Sequence, residues 1–209
     1  MNINELMDIS YNDYVDHLLK KYGPATCSYF TNDSYKSKSK GISRAKEGLE
    51  CHHIDENKYL LLSDPKACLL QKTPWECQKA NRLVYCDKIE HLLLHIKIID
   101  ETVPKKFWLD RYRCGPKSII ANINDYYEYK EIPNTWHGNM ANKIWDKFDL
   151  YILILFKISY KLWKDANINV NGDQPDWDKI MPIIFASYNG TPKRVYNSFN
   201  ELITSHKSN

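Results

Sequence analysis

Apolar positions change period along the chain, and the changes mark out its elements. Over residues 10–22, Tyr14, Val15, Leu18 and Leu19 recur on one helical face, and Gly23-Pro24 ends the run. Residues 25–46 are poor in apolar positions and carry Lys36-Ser-Lys-Ser-Lys-Gly-Ile-Ser-Arg-Ala-Lys46, a basic loop or arm. Residues 48–54 fit a short strand. Pro65 and Pro74 make 55–80 a long irregular connection with room for one short helix. Asn-Arg-Leu-Val-Tyr-Cys at 81–86 has the β-branched and aromatic character of a second strand. Asp87, with Glu90 three residues on, signals a capped helix from 88 to about 99 with Ile89, Leu92, Leu93 and Ile96 on its apolar face.

Beyond Pro104 the pattern is helical, with segments expected at 105–112, 116–127, 139–165 and 177–187. The class is therefore α+β and mostly helical. We expect an N-terminal helix and basic arm (1–46), a strand–strand–helix core (47–100), and a helical C-terminal region (101–209) packed on that core. The net charge of +3 permits nucleic-acid binding without requiring it. Six cysteines form no Cys-x-x-Cys pair, and the opening Met-Asn-Ile-Asn-Glu-Leu lacks the character of a secretion signal. A cytoplasmic chain with reduced thiols is expected, with Cys51, Cys68, Cys77 and Cys86 as buried free thiols. The apolar run at 150–156 is too short to span a bilayer.

Ionisable chemistry concentrates between 51 and 95, where four of the seven histidines fall. His91 and His95 are one helical turn apart and can address the same point, a bidentate grip on a metal. His52 and His53 are adjacent on the expected first strand, so they project oppositely and cannot share one job. One can complete a ligand set while the other stays free to take a proton. Each motif also has a plain reading, as polar residues on a helix or at a strand end.

Glu-Cys-His52-His53-Ile, Asn81-Arg-Leu-Val-Tyr-Cys and Glu90-His91-Leu-Leu-Leu-His95 together resemble the HNH endonuclease motif of the ββα-metal nuclease superfamily. The pattern is similar to the doubled-histidine version of colicin-type DNases, and the resemblance covers about residues 44–98. It implies a ββα-metal core with His52, His91 and His95 as metal ligands. It also implies His53 as the base that activates water, and Asn81 as the residue orienting that base. Asn81 precedes His91 by ten residues where the pattern has nine, which places Arg82 at the asparagine position. The implied cofactor is one divalent ion: imidazoles favour Zn, Ni, Co or Mn, with Mg served if waters complete its shell. The implied activity is DNA phosphodiester hydrolysis, with double-stranded DNA as substrate and no membrane partner. Lys36, Lys38, Lys40, Arg44, Lys46 and Arg82 are the expected nucleic-acid contacts. A homodimer or a protein partner would use the C-terminal helices. The alternative is a protein of this fold acting mainly by binding, an inhibitor or regulator of a nucleic-acid machine in phage or mobile-element counter-defence; for the nuclease itself the expected setting is phage biology or bacterial defence.

Overall fold

The computed structural model describes residues 3–129, 135–170, 172 and 174–207, with the side chains of residues 3, 4, 206 and 207 excepted. Its helices are α1 (Ile3–Asp8), α2 (Tyr11–Tyr22), α3 (Pro65–Gln71), α4 (Lys88–Thr102), α5 (Trp108–Tyr112), α6 (Gly115–Glu128), α7 (Trp136–Ile144), α8 (Phe148–Tyr160), α9 (Trp177–Ile184) and α10 (Lys193–Lys207). Two small antiparallel sheets accompany them: β1 (Glu50–His53) with β2 (Leu83–Cys86), and β3 (Asn169–Val170) with β4 (Gln174–Pro175). The molecule is α+β and mostly helical.

The hairpin β1–β2 divides the interior. Side chains alternate across β2, so Val84 and Cys86 join a large core with Leu18, Leu92, Ile96, Ile123, Ile154 and Phe199. Leu83 and Tyr85 join a smaller core with Tyr29, Phe30, Tyr35, Ile42 and Leu62. Register pairs His52 with Val84 and His53 with Leu83, so the two histidines are sent toward different cores.

Residues 25–46 do not project as an arm. Their aromatic residues Tyr29, Phe30 and Tyr35 are buried, and backbone hydrogen bonds tie the segment down: Tyr29 N–H donates to the Gln78 carbonyl at 2.8 Å. The tyrosine hydroxyls add Tyr35 to the Thr73 carbonyl (2.7 Å) and Tyr85 to the Ile42 carbonyl (3.0 Å). Sparse apolar residues sufficed because three of them, Tyr29, Phe30 and Tyr35, are aromatic and bury large areas.

α4 is the central support. Asp87 accepts from the Ile89 and Glu90 amides, both at 2.9 Å, while Glu90 accepts from the Asp87 amide at 2.8 Å, a complete capping box. Lys147 pairs with Asp87, and Lys21 with Glu90 at 2.5 Å, so α2 and the turn before α8 are tied to this end. The helix expected over 139–165 is interrupted for the same reason. The Tyr127 hydroxyl takes the Ile144 carbonyl at 2.5 Å, α7 ends there, and the turn Trp145–Lys147 delivers Lys147 to Asp87. α10 went unanticipated, although Val195 and Phe199, both buried, lie at helical spacing. None of the described helices is long and apolar enough to cross a membrane.

Candidate metal centre

His52 ends up buried on the α4 side of β1. Its Nε2 lies 3.0 Å from the Tyr11 hydroxyl, whose single proton goes to the Ile54 carbonyl at 2.9 Å. Tyr11 must therefore accept, and the His52 Nε2–H donates. That assignment leaves a lone pair on His52 Nδ1, a buried atom with no hydrogen-bond partner.

The other donors face the same point. His91 Nδ1–H donates to Glu50 Oε2 at 2.7 Å, which leaves its Nε2 lone pair directed inward. Glu50 is in turn paired with Lys88 at 2.8 Å. Burial pushes the Glu50 carboxyl up, but His91 and Lys88 outweigh it and hold it at about 2. His95 Nε2 stands 3.2 Å from His91 Nε2. Because His91 presents a lone pair there, His95 supplies the proton between them. Gly115 makes room for this ring: a Cβ there would meet His95 Nδ1 at 3.3 Å.

Glu56, in the turn Ile54–Asn57, completes the group. Its Oε2 lies 3.6 Å from His52 Nδ1 and 3.5 Å from His95 Nε2. One ligand atom from each of His52, Glu56, His91 and His95 falls within 4.8 Å of every other. Four donors around a zinc-sized ion at roughly 2.0–2.1 Å would be separated by about 3.3–3.4 Å in a regular tetrahedron. Three of the six separations, 3.2, 3.5 and 3.6 Å, lie near that spacing, and all six lie within 4.8 Å. These residues could hold a metal ion. Burial lowers the pKa of His52 well below the ordinary imidazole value and that of His95 to about 3, so both rings are kept neutral and able to ligate. Burial also raises the Glu56 carboxyl to about 7. A nearby cation would favour its ionised form.

His53 projects to the other face. Its Nε2–H donates to Gln78 Oε1 at 3.0 Å, and the amide is fixed by its own donation to the Leu62 carbonyl at 3.0 Å. His53 Nδ1 is left buried without a partner. The Tyr29 ring packs on the imidazole at 4.5 Å between centroids. Burial lowers the His53 pKa to about 4, although the Gln78 contact acts the other way.

Asn81 is not at this site. It is exposed in the turn Ala80–Arg82 ahead of β2, and Gln78 occupies the position beside His53. Arg82 is also engaged elsewhere: its guanidinium grips buried Asp55 through two bonds of 2.7 and 2.5 Å. Arg44 is a brace, donating to Glu47 and to the Tyr22 carbonyl and lying 4.7 Å from the Tyr85 ring. Lys36, Lys40 and Lys46 are exposed and line neither cleft described below. Lys38 does line one, with its ammonium 4.5 Å from the Tyr29 ring.

Two clefts meet at His91. One, of about 510 Å³, is bordered by Lys38, Glu50, His91 and Trp136; the other, of about 330 Å³, by Glu56, His91, His95, Arg111 and apolar residues. No protein-family model matches this chain, and no curated protein or solved structure matches it significantly.

Sequence reasoning missed Tyr11, Glu50, Glu56 and Gln78. Glu56 alone left a usable signal, a carboxylate four residues after His52. The others act through contacts between segments up to 41 residues apart.

Proposed function

We propose that this chain is a metal-dependent nuclease that hydrolyses phosphodiester bonds in DNA. The observation that carries the reading is the division of labour in β1. His52 joins three further donors that could hold one divalent ion, while the adjacent His53 keeps an unligated Nδ1 lone pair. A site serving only structure has no use for that second, oriented imidazole.

The ion, when bound, would stabilise the negative charge that develops on the phosphate oxygens. Tyr11 and Glu50 hold the His52 and His91 rings in the tautomers that leave their inward nitrogens free. His53, steadied by Gln78, takes the proton of the attacking water at Nδ1. Because His53 is only 1% exposed, the Tyr29 ring must give way for water to reach it. That burial is also what favours a second reading, in which the same fold binds nucleic acid or a nucleic-acid enzyme without cutting.

Cleavage of supercoiled plasmid and single-stranded circular DNA with Mg²⁺, Mn²⁺, Ni²⁺ or Zn²⁺ separates the two. We expect metal-dependent cutting that His53→Ala reduces at least about 100-fold with its metal content retained. Absence of cutting by the wild type with every ion would refute the nuclease.

A further inference from the structure

The two clefts share Ser63 and His91 in their walls, so they adjoin at the donor group as two parts of one passage along the surface. At one end Trp136 is 51% exposed, with its indole at the cleft border near Lys38. At the other end Arg111 lines the apolar cleft beside His95. Neither Lys38 nor Arg111 is paired with a carboxylate among the described residues, whereas Glu50 is already neutralised by Lys88. The His137 ring covers one face of the Trp136 indole at 3.5 Å between centroids and leaves the other to a ligand; with cations free of carboxylates and the donors beside them, this matches the alternation of base and phosphate along one strand.

We propose that this passage takes a single strand of nucleic acid. A base stacks on Trp136, one phosphate lies at the donor group, and Arg111 holds a phosphate beyond it. The choice of strand over duplex follows from Trp136. A base inside a duplex is stacked on its neighbours and paired, so only an unpaired base can lie against the indole. The His91 and His95 side chains, 18% and 21% exposed, leave the donor group open on one side to the phosphate beside that base. The proposal rests on the nuclease reading for the role of the donor group, but its binding surface does not.

The test is fluorescence anisotropy with a labelled short oligothymidylate and a blunt duplex of equal length. It uses the wild-type chain in EDTA and the His53→Ala chain with Mn²⁺. We expect the strand to bind at least about tenfold more tightly than the duplex. Trp136→Ala and Arg111→Gln should each weaken strand binding about fivefold or more, while Trp136→Phe keeps most of it. Trp136 is exposed and Arg111 partly so, and unchanged melting temperatures would verify that the variants fold. Equal or tighter duplex binding, failure to bind either, or insensitivity to both substitutions overturns the passage. A chain that binds single strands through Trp136 and Arg111 yet cuts nothing would sink the nuclease and leave the passage standing.

Discussion

His52 and His53 are covalent neighbours with opposite surroundings, and both are held neutral. Their environments make the fold sensitive to acid. An unfolded imidazole takes a proton near pH 6.5, whereas folded His53 resists until about 4 and His95 until about 3. Between those values the unfolded chain binds more protons, so stability falls as pH drops from 6.5 toward 4. We expect urea midpoints of the metal-free protein to fall over that window, and less steeply for His53→Gln. A variant with the same slope as wild type would remove His53 from the account. Tyr11 tests the ligand side. Tyr11→Phe deletes the acceptor that fixes the His52 tautomer, and should weaken metal binding about 10–100-fold in a chelator competition. Unchanged affinity would mean that His52 chooses its tautomer without help.

At the scale of elements, α4 sets both the height and the rotation of His91 and His95. Asp87 begins that helix and also receives Lys147. Asp87→Ala removes the cap and leaves the lysine without its partner, which should cost about 2 kcal/mol or somewhat more, read as a lower denaturation midpoint. A loss under about 0.5 kcal/mol would show that the cap does not hold the helix. The capping box, β1, β2 and the apolar face of α4 were all legible because each is written in consecutive residues. So were the three histidines of the candidate metal group, since helical spacing and strand alternation fix their directions. Gln78 was not legible: its place beside His53 depends on how the 29-residue connection from Ile54 to Arg82 folds back, and no local pattern encodes that. The same holds for the break at Ile144, which a tyrosine 17 residues earlier imposes.

For the molecule as a whole, Lys97 joins the first helices to the centre. Its ammonium donates to the carbonyls of Ile9 (2.6 Å) and Met7 (3.3 Å), where α1 meets α2. Burial pulls its pKa down to about 8 despite the nearby Asp100 and Glu101. Above pH 8 the folded chain sheds this proton while the unfolded chain keeps it until about 10.4, so this residue's contribution to stability rises across that interval. The difference in urea midpoint between wild type and Lys97→Met should therefore grow from pH 8 to pH 10; a flat difference would count against the burial of this charge. The Asp87–Lys147 pair has a consequence in time. His52 and His53 leave the ribosome long before the lysine that anchors the helix opposite them. At about 5–20 residues per second, nearly a hundred residues must follow, a delay of several seconds. During synthesis all four candidate donors and the α4 capping box are therefore in place several seconds before the lysine that ties the start of that helix to the second half of the chain.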